Sequence, residues 1–118
     1  LKANRLVDGM TVDEAAIERN LARYGPFAAS ERVLMALVAA GADRQLAHEW
    51  IRQASLEAWA AIKLGQENPL AKLLSTSQPI VTYLSAKQIV ALMDVTGYTG
   101  TAGERASMFA QELRAASD

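Results

Sequence analysis

The stretch Gly25 to Gly41, GPFAASERVLMALVAAG, constrains the fold more than any other part of the chain. Between its glycines lies a run that is apolar almost all round after the first turns: Val33, Leu34, Met35, Ala36, Leu37, Val38, Ala39, Ala40. A helix without a polar face belongs inside a bundle, covered by other helices or by another subunit. Pro26 suits a first helical turn, where its missing N–H costs nothing, and Gly41 suits a left-handed stop after the last. The polar run Ser30-Glu31-Arg32 stands near the N-terminal end of this helix. Burying such charges requires partners, so we expect the triplet at a helix end that faces a groove or another chain.

The remaining segments are also helical. Leu1 to Gly9 reads as the tail of a helix, and Thr11-Val-Asp-Glu14 as a capping box. That box opens a helix to about Arg23, with Ala16, Ile17, Leu21 and Tyr24 on one side. Asp43 is the expected N-cap of the longest helix, Arg44 to about Leu64, where Ala47, Trp50, Ile51, Ala54, Ala58, Ala61 and Ile62 form an apolar stripe. Gly65 ends it. Asn68 caps a short helix with Pro69 first, carrying Leu70, Leu73 and Leu74; Pro79 opens an apolar piece, Ile80 to Leu84. Ser85-Ala-Lys-Gln88 is a second capping box, before Ile89, Val90, Leu92 and Met93. Asp94 to Gly100, DVTGYTG, is a glycine-punctuated loop. A third box, Thr101-Ala-Gly-Glu104, begins the last helix, expected to turn Met108, Phe109 and Leu113 inward. No strand signal competes. The fold class is all-α, a compact helical domain of about five to seven helices.

Composition narrows the function. Lysine and arginine number 12 against 13 acids, so nothing electrostatic favours nucleic acid or an anionic membrane. With 0 cysteines there is neither a disulfide nor a thiolate metal site. The longest apolar run is about half of the roughly 20 residues that span a bilayer, and a cytoplasmic location is the default. The single histidine, His48, sits in the second turn of the long helix. Alone it reads as a packing or hydrogen-bonding residue, and with Glu49 it makes no metal site. The chain lacks a starting methionine and opens in mid-helix, so we expect it to be cut from something longer.

Taken in order, the segments resemble the C-terminal domain of the adenylosuccinate lyases, within the fumarase/aspartase superfamily. The resemblance rests on Ile17 to Leu21, Gly25 to Leu37, Gly41 to Gln45 with His48-Glu49, and Asp94 with Tyr98-Thr99-Gly100. It covers about Val12 to Leu113. Gly25-Pro26 departs from the commoner Gly-Gly of the family and is similar to its animal branch.

The resemblance implies an enzyme larger than this chain. Residues 1–9 would be the tail of a central-bundle helix, and residues 10–118 the C-terminal domain. The intact enzyme would eliminate fumarate from adenylosuccinate, giving AMP, and from succinyl-aminoimidazole-carboxamide ribotide (SAICAR), as a homotetramer without a cofactor. Its other domains would be this chain's partners and a purine nucleotide its substrate, with neither nucleic acid nor membrane involved. The family's glycine-serine-serine signature loop and its histidine motifs do not occur here. No catalytic residue is therefore assigned, and the fragment alone is expected to be inactive while shaping or closing the site.

Ser30, Glu31, Arg32 and Arg44 remain candidates for the substrate mouth or a subunit contact; the alternative is local capping and pairing with neighbouring helices. Arg44 opposes its helix dipole, so an acidic partner is expected. The DVTGYTG loop reads as a structural turn, since it lacks a phosphate cradle. Two rival functions stand beside the lyase: the similar domain of 3-carboxy-cis,cis-muconate cycloisomerase, and a free-standing helical interaction module.

Overall fold

A computed structural model describes residues 2–117; Leu1, at the head of the first expected helix, and Asp118 lie outside them. The described residues form seven helices and no strand. They are α1 (Lys2–Asp8), α2 (Glu14–Ala39), α3 (Arg44–Lys63), α4 (Leu70–Thr76), α5 (Gln78–Val81), α6 (Ala86–Leu92) and α7 (Ala102–Ser117). The all-α expectation holds.

Its largest correction lies in α2. Two helices were expected to meet at Gly25-Pro26, yet one helix of 26 residues runs through both. A mid-helix proline leaves the carbonyl four residues earlier, that of Ala22, without its donor. The chain answers one residue along, where Asn68 Nδ2 donates to the carbonyl of Arg23 at 2.8 Å. The start of α2 is corrected as well. Asp13, not Thr11, is the N-cap, its carboxylate accepting from Ala16 N–H at 2.9 Å, so Glu14 is the first helical residue and no Thr11 box forms. An aspartate cap at the positive end of a helix outcompetes a threonine two residues upstream.

Other ends form as the residues dictate. Gly41, at φ +95°, closes α2: Ala42 N–H donates to Leu37 O at 2.9 Å and Gly41 N–H to Val38 O at 3.0 Å. Asp43 then caps α3, accepting from Leu46 N–H at 2.9 Å. Pro69 is the N-cap of α4 rather than its first residue, and Asn68, expected as the cap, stands one residue before it and accepts from Leu70 N–H at 2.9 Å. Ser85 and Gln88 form both halves of the expected capping box on α6.

The core lies between the second half of α2, the inner face of α3, and α4 to α6. Val33, Leu37, Ile62, Leu70, Leu74, Ile80 and Ile89 are fully buried. Burial of each such side chain contributes about 1.5–3 kcal/mol. The stripe predicted on α3 supplies Ala47, Ile51, Ala58 and Ile62. The run after Arg32 is not covered all round, since Met35 is 55% exposed. Around this core the molecule is long. Its extents are 60 × 34 × 23 Å and its radius of gyration 19.5 Å, against about 13–14 Å for a compact domain of this length. The length comes from α1, the first half of α2 and α7, none of which contributes a buried residue among those whose burial is described.

Met108, Phe109 and Leu113 therefore do not turn inward: they are 53%, 61% and 52% exposed. Their stripe is present in α7, but among the described residues no other helix makes an extended contact with that helix. Ile17, Leu21 and Tyr24 on α2 are likewise exposed, at 48%, 52% and 44%.

Candidate functional site

Ser30, Glu31 and Arg32 fall within α2 rather than at a helix end, because the helix does not break at Pro26. Ser30 turns its hydroxyl back on its own helix, donating to Phe27 O at 2.7 Å. Glu31 is exposed, so the expected burial of its charge does not arise. Arg32 reaches across the fold, its guanidinium donating to the carbonyl of Asp94 at 3.3 Å. The same group lies over the ring of Tyr98, 3.9 Å from its centroid. A flat guanidinium suits both contacts, because it hydrogen-bonds along its edge while its face stacks.

Two features singled out separately in the sequence, the polar triplet and the DVTGYTG loop, thus meet. The loop is built to sit there. Asp94 Oδ1 accepts from Thr96 N–H at 2.9 Å and from its hydroxyl at 2.8 Å, which closes the first turn. Those bonds, the backbone N–H first, hold the Asp94 carboxyl below its ordinary pKa. Val95 packs on Gly25, where an added Cβ would lie 3.0 Å from Cγ2 and 3.1 Å from Cγ1. Gly25 is therefore a point of close approach between α2 and the loop, and the helix continues through it.

Arg44 is not part of this cluster. It opens α3, beyond the far end of α2, and is exposed. Among the described residues no carboxylate forms an ion pair with it. Asp43, the cap one residue earlier, brings a negative charge to the same end of the helix. The four candidates thus divide: Arg32 alone meets the loop, Ser30 bonds its own helix, Glu31 faces outward, and Arg44 stands apart.

Sequence reasoning missed a second cluster on the other side of Pro26. Arg23 donates to the carbonyl of Ile62 at 3.0 Å, and Asn68 holds the carbonyl of Arg23. With Arg19, Ala22 and the Gly65–Asn68 turn they line an open hollow of about 470 Å³. Its partners are 39 and 45 residues apart in the chain, so no local pattern signals them. Trp59 stacks on Phe27 at 5.0 Å and meets Tyr24 at 5.9 Å. Trp50 stacks on Tyr83 at 6.3 Å. Both tryptophans thus find ring partners within the chain.

On the outer face of α3, Arg52 donates twice to the Glu49 carboxylate, at 2.7 Å each, and Gln53 adds a third bond at 2.9 Å. These donors, Arg52 foremost, pull the Glu49 pKa down to about 2. His48 beside them is exposed. Among the described residues no base faces an acid across a cleft, as proton transfer to and from one substrate requires. Among the described residues no three His, Asp or Glu side chains gather closely enough for a metal, and no helix is long and apolar enough to cross a membrane.

The family described as the adenylosuccinate lyase C-terminus matches residues 26–109, the span from Pro26 to the exposed Phe109. Similar proteins include adenylosuccinate lyases of two yeasts and an archaeon. That of Saccharomyces cerevisiae is 32% identical over 108 residues, covering 88% of this chain and 21% of its own length. That of Schizosaccharomyces pombe is 29% identical over the same shares, and that of Methanocaldococcus jannaschii 27% over 96 residues, 81% of this chain and 20% of its own. The chain thus spans about a fifth of the length of these relatives.

Proposed function

Because this chain belongs to the adenylosuccinate lyase C-terminus family, we propose that it is the C-terminal domain of an enzyme that eliminates fumarate from adenylosuccinate, giving AMP. SAICAR is the second substrate of the same enzyme. The observation that carries this reading is the family match from Pro26 to Phe109, which takes in both the core and the Arg32–Tyr98 junction. All three relatives bear the lyase name, which weighs against the cycloisomerase and against a free-standing interaction module.

The domain's part is architectural. Elimination needs a base at the carbon beside a carboxylate and an acid at the departing nitrogen, with matched pKa values. This chain offers one exposed histidine and no facing pair, so those groups come from other domains of the same polypeptide. Residues 1–9 are the tail of a bundle helix, and the C-terminal domain begins at Met10. The exposed stripes of α2 and α7 pack on the upstream domains, within a cytoplasmic homotetramer. Ser30, Glu31 and Arg32 line the mouth of the site or a subunit contact, and Arg44 a second contact. No cofactor takes part.

A complementation assay tests the reading. The chain is mixed with the separately purified upstream portion of its gene, and the loss of adenylosuccinate absorbance is followed against each part alone. Activity in the mixture only is expected. No activity in the mixture, with both parts folded, overturns it.

A further inference from the structure

Something must decide where α7 points. Among the described residues no other helix makes an extended contact with it, so its direction depends on the connection from Asp94 to Thr101. That connection is a chain of short turns. Tyr98 N–H donates to Val95 O at 3.0 Å and Ala102 N–H to Thr99 O at 3.0 Å, so the turn ending at Tyr98 leads directly into the one that starts α7. At its near end the connection follows Met93, which is 5% exposed in the core. Farther on it is held against α2 at three places: the Asp94 carbonyl on Arg32, Val95 on Gly25, and the Tyr98 ring on Arg32.

We propose that Arg32 is a positioning residue: by holding the Asp94 carbonyl and the Tyr98 ring at once, it fixes the direction in which α7 leaves the core. One side chain spans the loop because the guanidinium offers an edge to the carbonyl and a face to the ring. A lysine ammonium is a single point charge and keeps at most one of these contacts with good geometry. Val95 on Gly25 resists approach of the loop to α2, but it does not resist a swing about that point. The Tyr98 contact, farther along, does. Direction matters because α7 carries Met108 and Phe109 exposed, and a stripe held at one angle meets a complementary surface without a search. The inference rests on this geometry and not on the lyase reading.

Spin-label distances in the full 118-residue chain test it, and the sequence helps because it contains 0 cysteines. Labels go on Gln45→Cys in α3 and Ala115→Cys in α7, both exposed positions. Ala115 rides about 20 Å along α7 at roughly 1.5 Å per residue, so a swing of about 20° moves its label by roughly 7 Å. The parent chain should give one narrow distance distribution. Arg32→Ala and Tyr98→Leu should each broaden or shift it by that order. Tyr98→Phe, which keeps the ring, should leave it narrow, and Arg32→Lys should fall between. A distribution unchanged in Arg32→Ala and Tyr98→Leu overturns the proposal, as does a broad one in the parent. Circular dichroism checks that helix content is retained. If Arg32→Ala fails to fold, Tyr98→Leu decides alone, its ring being 47% exposed and outside the core.

Discussion

Asn68 and Arg23 are joined by a 2.8 Å hydrogen bond from the asparagine amide to the arginine carbonyl, in the turn of α2 that Pro26 leaves short of a donor. The same asparagine accepts through its Oδ1 from Leu70 N–H, the first of α4. One side chain therefore serves two helices with its two ends. Asn68→Ala should lower stability by about 1–3 kcal/mol, the sum of two lost hydrogen bonds. Asn68→Asp keeps the acceptor for Leu70 N–H and removes the donor, and should cost roughly half as much. The urea unfolding midpoint of each variant checks both.

Gly25→Ala has opposing effects. A helix-interior glycine replaced by alanine normally gains about 1 kcal/mol. Here the new Cβ would lie 3.0 Å from Val95 Cγ2, so the side chain or the loop must move. The gain should vanish or reverse in the single variant and return in Gly25→Ala/Val95→Ala. Thermal unfolding of both variants against Val95→Ala alone isolates the coupling.

Acid should loosen the outer face of α3. The Glu49 pKa falls from an ordinary 4.5 to about 2, so its charge is favoured in the folded chain. That contribution is fully present above about pH 4.5 and is lost as pH falls towards 2. Glu49→Gln should therefore flatten the acid limb of a stability-versus-pH curve. Parent and variant should run parallel below pH 2; equal slopes between pH 4.5 and 2 would contradict the assignment.

Phe109→Ser touches a residue that is 61% exposed, so stability should stay within about 0.5 kcal/mol of the parent. Complementation of the upstream portion should nonetheless weaken by tenfold or more, because an apolar contact is lost on docking. A variant that complements normally removes α7 from the docking surface.

Local chemistry was legible in the sequence, and distant pairing was not. Asp43, Ser85 with Gln88, and Gly41 announce helix ends through bonds spanning only a few residues, and the α3 stripe announces its buried face. Gly25-Pro26 misled because a break is the local preference there. The helix nevertheless continues, and beside the expected break its Arg23 carbonyl takes a bond from Asn68, 45 residues away. Thr11 misled because two cap residues compete within three positions, and the carboxylate won. The inward turn of Met108 and Phe109 failed for a different reason. An amphipathic stripe records that a face is to be covered and carries no record of what covers it. Arg32 stands out in the sequence for its charge beside an apolar run, but its partners lie 62 residues and more downstream, beyond any periodic signal.

The 60 Å long axis has a practical consequence for hydrodynamics. Friction rises with elongation at constant mass, so a single copy will sediment slowly and leave a gel-filtration column early. Calibrated with spherical standards, that column will return a mass well above the true 12.7 kDa, and a lone chain will pass for a pair. Light scattering, which weighs particles without reference to their shape, is the measurement that counts the copies.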